Sequence, residues 1–244
     1  MARRASESEG AAEGLEGVIA EQARYYRERA GEYEDWWYRR GRYDRGEDAN
    51  ARWFSEVREL RTQVRRHVPD AGGVLELACG TGLWTELLAE TAASVTALDA
   101  APQMLEVVSA KLPGSNVSFL EADVFAWEPG EAYELCFFGF WLSHVPLRLM
   151  PPFWAKVARS LTPGGRVYFV DSARSELASA RDHELGEPGE ELTVRRLDDG
   201  REYHIVKHWF EARALEELLR SLGWNASVAC TGEFFVHGSA SPAH

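Results

Sequence analysis

Cysteine is scarce in this chain, and what there is shows no pattern. Cys79, Cys136 and Cys230 are the only three in 244 residues. Each lies in an apolar or glycine-turn context, without metal-like spacing. A disulfide framework is therefore excluded, no metal site is expected, and a reduced, cytoplasmic protein is. Long apolar runs are missing too: nothing approaches the roughly 20 residues needed to span a bilayer. The stretch Met1–Gly17 has two arginines but no apolar core of the kind a secretory signal needs. An excess of basic charge is also absent. With 27 Lys+Arg against 39 Asp+Glu the formal net charge is −12, which argues against nucleic acid or an anionic membrane as the main partner. There is no internal repeat. A hydrophobic content of 45% and a charged content of 27% are those of an ordinary globular chain, long enough for one α/β domain with additions.

What is present is organised around Val74-Leu75-Glu76-Leu77-Ala78-Cys79-Gly80-Thr81-Gly82. A short apolar run ending in two close glycines, followed by an amphipathic segment, predicts a buried parallel strand that breaks into a ligand-binding turn. From there strands and helices alternate. Strands are expected at Val74–Ala78, Ser94–Leu98, Val117–Leu120, Glu134–Phe138 and Arg166–Val170. The helices between them are expected at Leu83–Glu90, at Gln103–Lys111 behind Pro102, and from Pro151-Pro152 to a stop at Pro163-Gly164-Gly165. The alternation breaks after Asp171. Leu192–Leu197 and Tyr203–Trp209 flank Asp198-Asp199-Gly200 and read as an inserted antiparallel hairpin at about 190–209. A leucine-periodic helix Glu211–Leu222 and two short strands, Ser227–Cys230 and Glu233–His237, complete the chain. The fold class is α/β, a doubly wound sheet with helices on both faces. Residues 1–14 are expected to be a disordered acidic tail. Residues 15–70 are expected to form a helical, aromatic-rich lid, with Pro69-Asp70-Ala71-Gly72-Gly73 turning into the main domain of residues 71–244.

A glycine turn alone would serve a nicotinamide, a flavin or S-adenosylmethionine. Thr85 stands where a dinucleotide fingerprint has its third glycine, and no Walker lysine follows. Glu76 inside the strand suits a ligand bearing an ammonium group. Asp99, 19 residues after Gly80, can accept from two ribose hydroxyls, or simply start the helix behind Pro102. Asp123 can accept from an adenine amine. Met104, Val124 and Phe125 can sandwich the ring or be plain core. Ala78, Ala100, Gly82 and Phe140 complete the expected cofactor wall. Tyr25, Tyr26 and Tyr33 on the lid can reach the ligand carboxylate and sulfonium, or merely pack.

These pieces, with Glu121-Ala122-Asp123 and Leu161-Thr162-Pro163-Gly164-Gly165, resemble the class I S-adenosylmethionine-dependent methyltransferases. That resemblance implies a Rossmann-like seven-stranded sheet of order 3-2-1-4-5-7-6, strand 7 antiparallel. The chain is more closely similar to the small-molecule O-methyltransferases that include a bacterial phosphonate methyltransferase. This similarity is carried by Tyr25-Tyr26-Arg27 through Tyr33, Trp141-Leu142-Ser143-His144-Val145-Pro146, Arg195-Arg196, Asp199-Gly200-Arg201, Ile205-Val206-Lys207 and Leu222-Gly223-Trp224. The acidic extension before Leu15 and the doublet Trp36-Trp37 depart from that pattern.

Methyl transfer is an in-line displacement at a sulfonium carbon, so the protein must align an acceptor, exclude water and, for a neutral hydroxyl, remove a proton. His144, after the fourth strand, reads as a base or acceptor-orienting group, or as a buried histidine bonding its loop. Trp141 is expected to contact the acceptor, and so is Trp37 as a pocket wall, although Trp36 and Trp37 read first as plain packing. The hairpin's Arg195, Arg196 and Lys207 suit an anionic acceptor, although a charge run is commonly a solvated face. The expectation is methyl transfer to oxygen of a small anionic metabolite, a phosphonate or carboxylate. The alternatives are N-, S- or C-methylation of a natural-product scaffold, and a non-catalytic S-adenosylmethionine-binding module. A homodimer through lid and hairpin is a further expectation.

Overall fold

The computed structural model describes residues 2–68, 72–187 and 189–243, with side chains from residue 14 onward. Pro69, Asp70 and Ala71 of the expected turn lie outside the described residues. Helix α1 runs Ala2–Glu28. Short helix α2 (Tyr33–Trp37) and long α3 (Glu47–His67) follow. The body of the molecule then reads β1 (Gly73–Leu77), α4 (Thr85–Ala89), β2 (Ser94–Asp99), α5 (Pro102–Lys111), β3 (Val117–Glu121), β4 (Tyr133–Gly139), α6 (Met150–Arg159) and β5 (Leu161–Ser172). The hairpin strands β6 (Leu192–Arg196) and β7 (Glu202–Val206) come next, then α7 (Ala212–Ser221), β8 (Trp224–Cys230) and β9 (Phe235–Pro242).

Seven strands form one sheet in the order β3-β2-β1-β4-β5-β9-β8. The first five are parallel to one another, and β9 runs antiparallel between β5 and β8. Set the separate two-stranded hairpin aside and this is the expected 3-2-1-4-5-7-6. The near-continuous apolar runs of β1, β4 and β5 follow from burial on both faces. Val74, Leu135, Phe137 and Tyr168 pack beneath α3 and α4 with Trp53, Leu60 and Leu87. Their neighbours Leu75, Leu77, Cys136, Phe138 and Phe169 pack on the other face with Phe153, Trp154, Leu215 and Leu219 of α6 and α7.

Several expected boundaries differ: α4 is shorter, β8 begins at Trp224, β9 runs from Phe235 to Pro242, and β5 departs most. β5 begins at Leu161, and Pro163-Gly164-Gly165 lies inside it rather than before it. Tyr133 pairs with Leu161 and Leu135 already pairs with Arg166, so the Pro-Gly-Gly segment loops out of the ladder as a bulge and the strand resumes.

The N-terminal helix lies along the hairpin. Glu21 accepts from the His204 amide at 2.7 Å, Gln22 from the Val206 amide at 3.0 Å, and Glu28 from the Tyr203 hydroxyl at 2.6 Å. Together α1 and the hairpin cover the carboxyl ends of β1, β2 and β4, the position at which open parallel sheets hold ligands.

Candidate active site

Two adjoining cavities open under α1. The first, about 750 Å³, follows the carboxyl ends of β1 to β4. Its backbone is bent to make room. Ala78 and Phe140, just past β1 and β4, hold positive φ of 53° and 58°, and Gly80 follows at 55°. Two non-glycine residues held there by the sheet on either side of one cavity mark it as a functional site. Asp99 fixes the turn by accepting from the Gly80 amide at 2.8 Å and the Ala101 amide at 2.9 Å. Its remaining lone pairs face the cavity with Ala100 beside it, and burial raises its pKa.

Farther along, Met104 of α5 and the Val124–Phe125 loop form a flat apolar slot with Asp123 at its edge. Asp123 accepts from the Phe125 amide at 2.8 Å. Lys156 of α6 donates to the carbonyls of Val124 (3.1 Å) and Phe125 (2.7 Å) from the far side, so the slot is braced by a residue outside it. Tyr26 and Tyr33 close the end nearest Gly80, and Ile19, Gln22 and Ala23 of α1 form the roof. The lining contains Asp99 and Asp123 but no lysine or arginine. Such a wall repels phosphates and accommodates a cation, hydroxyls and a flat heterocycle. S-adenosylmethionine has those three features, and the chain's donors and acceptors fit it.

The second cavity, about 600 Å³, shares Tyr26, Tyr33, Phe140 and His144 with the first. Its other wall is cationic. Arg29 comes from the turn just past α1, Arg195 from β6 and Lys207 from just beyond β7. Among the described residues, only Lys207 of the three has an acidic partner, Asp171 at 3.4 Å. Arg195 spends its bonds on neutral acceptors, the Thr193 hydroxyl at 2.9 Å and the Val194 carbonyl at 3.1 Å. Arg29 donates to the Tyr43 hydroxyl at 3.1 Å and sits over the Tyr33 ring at 5.0 Å. Burial lowers the pKa of Arg195, and also that of Lys207, where Asp171 opposes the shift. Buried cations without counter-charges are costly unless a ligand supplies the anion.

His144 stands at the seam. Its Nδ1 lies 2.6 Å from the Val206 carbonyl and its Nε2 2.8 Å from the Tyr26 hydroxyl. A carbonyl can only accept, so Nδ1 carries the proton and Nε2 receives the hydroxyl's hydrogen bond. Burial, reinforced by Lys207, pushes the imidazole pKa well below its ordinary value. Burial pushes the Tyr26 hydroxyl well up, so at neutral pH the ring is uncharged and the phenol keeps its proton.

Several expected site residues lie elsewhere. Glu76 does not reach either cavity. It is 1% exposed inside β1, burial drives its pKa up to about 8 with Thr85 partly opposing, and its Oε2 has no hydrogen-bond partner among the described residues. Gly82 serves packing instead of ligand approach, because a Cβ there would meet Val108 Cγ2 at 2.3 Å and its φ is +86°. Trp37 is core, packed between Trp53, Trp84 and Phe235, while Trp36 lines the second cavity in its place. Successive helix residues point about 100° apart, so only one of the pair can face the cavity. Arg196 is exposed and paired with Glu202, because strand alternation sends it opposite to Arg195. Trp141 borders the first cavity rather than the acceptor side, and Tyr25 the second rather than the first. Arg29 and Gln22 were missed. Positions 22, 25, 26, 29 and 33 do fall at i+3/i+4 spacing, but α1 ends at Glu28 and Tyr33 opens α2, so the spacing alone does not place Arg29.

Comparison with known proteins bears on the family. Residues 74–165 match the family described as "Methyltransferase domain". The chain is 36% identical over 110 residues to the malonyl-[acyl-carrier protein] O-methyltransferase of Paenibacillus sp. (strain JDR-2), covering 40% of this chain and 37% of that one. It is 31% identical over 134 residues to the trans-aconitate 2-methyltransferase of Streptomyces avermitilis, covering 52% and 48%. It thus spans about half or less of the length of these curated relatives. Among solved structures, the DhpI-SAM-HEP complex aligns with a TM-score of 0.75 at 33% identity over 93% of this chain and 98% of that one. The DhpI-SAH complex aligns with a TM-score of 0.73 over the same shares. A sheet of this order, a carboxylate-edged cavity whose lining holds no lysine or arginine, and a full-length relative that binds S-adenosylmethionine agree, and the chain belongs to the class I S-adenosylmethionine-dependent methyltransferases.

Proposed function

We propose that this methyltransferase transfers the methyl group to an oxygen of a small anionic acceptor, a phosphonate or a carboxylate. The observation that carries this reading is the trio Arg29, Arg195 and Lys207 buried in the second cavity, with one carboxylate, Asp171, among them. An acceptor bearing one or two negative charges would complete that charge set, and arginine can hold a planar or tetrahedral oxyanion through two parallel N–H donors. The names of two relatives, a malonyl-[acyl-carrier protein] O-methyltransferase and a trans-aconitate 2-methyltransferase, are in keeping with an acidic acceptor.

S-adenosylmethionine supplies an electrophilic methyl on a sulfonium, and an oxyanion that attacks it neutralises charge as it reacts. An ionised acceptor needs no base. The work of the chain is to hold the acceptor with its cations, exclude water beneath α1, and aim one oxygen across the shared wall. Asp99 would hold the ribose hydroxyls, the Met104–Phe125 slot the adenine, and Tyr26 and Tyr33 would flank the sulfonium end. A neutral His144 adds no positive charge beside the sulfonium. Its Nε2, reached through Tyr26, is available to take a proton from an acceptor that arrives protonated.

The test is a radiolabelled methyl assay over phosphonates, carboxylates, phenols, amines and thiols. Label is expected in esters of the first two. Label confined to amines or thiols would sink the reading. Arg195→Met should raise the acceptor KM about tenfold or more, since a hydrogen bond to a charged partner is worth ~1.5–3 kcal/mol. The same change should leave cofactor affinity unchanged and hold or raise the melting temperature of the free protein, because it removes an uncompensated buried charge.

A further inference from the structure

Gln22 closes a ring of hydrogen bonds around His144. It is 3% exposed on α1, and both ends of its amide are used. Its Nε2 donates to the His144 carbonyl at 3.1 Å, and its Oε1 accepts from the Val206 amide at 3.0 Å. The circuit closes where His144 Nδ1 donates to the Val206 carbonyl at 2.6 Å. The amide cannot be turned over, because a backbone N–H must meet oxygen and a carbonyl must meet NH₂. The bonds to the neighbouring residues continue the seam. The His208 amide donates to the Ser143 carbonyl at 2.8 Å, and Lys207 Nζ lies 2.7 Å from Ser143 Oγ. One turn farther along α1, Tyr26 meets the opposite nitrogen of the same imidazole. Two successive turns of α1 thus grip His144 from behind and in front.

We infer that Gln22 is the positioning residue that locks His144 in its Nδ1-protonated form, with Nε2 presented at the wall shared by the two cavities. The inference rests on the role given to His144 above. Without the amide, the loop after β4 and the end of β7 lose the clamp that keeps the Val206 carbonyl over Nδ1. The imidazole is then free to exchange tautomers and rotate, and displacement of a reacting group by about an ångström can cost on the order of 100-fold in rate. Gln22 also borders the cofactor cavity, so its effect on the chemical step has to be separated from an effect on cofactor binding.

The experiment combines ¹⁵N-detected imidazole spectra with kinetics at saturating S-adenosylmethionine. His144→Gln assigns the signals and tests whether His144 matters at all. In the unaltered enzyme, His144 is expected to be neutral with the proton on Nδ1; an Nε2–H or charged ring there would overturn the inference before any variant is made. In Gln22→Met, the tautomer signals should broaden or mix. Its kcat should fall about 10- to 100-fold and stay low however much cofactor is supplied. Gln22→Glu keeps the acceptor for Val206 but faces the His144 carbonyl with oxygen, and it should show the same defect if Gln22→Met does not fold. A folded variant with the native tautomer, or one restored by excess cofactor, would overturn the inference. If His144→Gln itself works at the full rate, the role of His144 fails. If only the Gln22 variants do, this inference alone fails.

Discussion

At His144, the depressed pKa has a direct kinetic consequence. The folded imidazole titrates below the ordinary value of 6.5, through burial first and Lys207 second. Lowering the pH through 6.5 therefore leaves it neutral. With an acceptor ionised throughout the range, kcat should stay level from pH 8 to below 6.5, the acid limb appearing only where the shifted ring at last takes a proton. A break centred on 6.5 in a pH–rate profile would contradict this. Glu76 gives a second, opposite lever. Its folded pKa of about 8 lies above the ordinary 4.5. Between those values the folded state holds a proton that the unfolded chain has lost, so stability falls as pH rises through that window. At ~1.4 kcal/mol per pK unit the whole effect is on the order of 5 kcal/mol at most. Glu76→Gln removes the dependence. Thermal melts of the cofactor-free protein from pH 5 to 9 should show the variant gaining on the parent as pH increases.

Among the elements, the parallel strands and the hairpin were legible because their signals are local. Apolar runs of strand length, glycine or proline stops, and the Asp-Asp-Gly turn each arise from residues close in sequence. Asp99, Met104, Asp123 and Phe125 fall along one cavity because strand ends in this topology have fixed places. Trp36 against Trp37 could not. Which ring faces the cavity depends on how the one-turn helix α2 docks, and that is set by a residue 142 positions away, the Ala178 carbonyl that accepts from Trp36 Nε1 at 2.9 Å. Arg29 and Gln22 escaped for the same reason, since α1 gains its meaning only when laid against β7. Gly82 shows how a motif glycine can mislead: it reads as ligand-facing, yet the demand comes from α5. Gly82→Ala forces a Cβ to 2.3 Å from Val108 Cγ2 at a positive φ. It should therefore destabilise the protein by about 1–3 kcal/mol, read from denaturant melts, and Gly82→Ala with Val108→Ala should recover part of that loss.

For the molecule as a whole, the charge is arranged at two scales with opposite sign. The chain as a whole carries a net −12, while the second cavity gathers Arg29, Arg195 and Lys207. At a distance, a cationic cofactor is attracted and an anionic acceptor is repelled; inside, the acceptor meets the cations after water has been left behind. Added salt screens the long-range field over a Debye length of ~10 Å at 0.1 M but acts far less on buried groups. The two substrates should therefore respond in opposite directions. Between 20 and 300 mM KCl, kcat/KM for S-adenosylmethionine should fall while kcat/KM for an anionic acceptor holds or rises, each by about two- to threefold as expected for modest steering. Initial rates with one substrate saturating and the other varied measure both. If the acceptor's kcat/KM instead fell steeply with salt, its capture would be governed by exposed basic groups rather than by the buried trio, and Arg196 at the hairpin surface would be the first residue to re-examine.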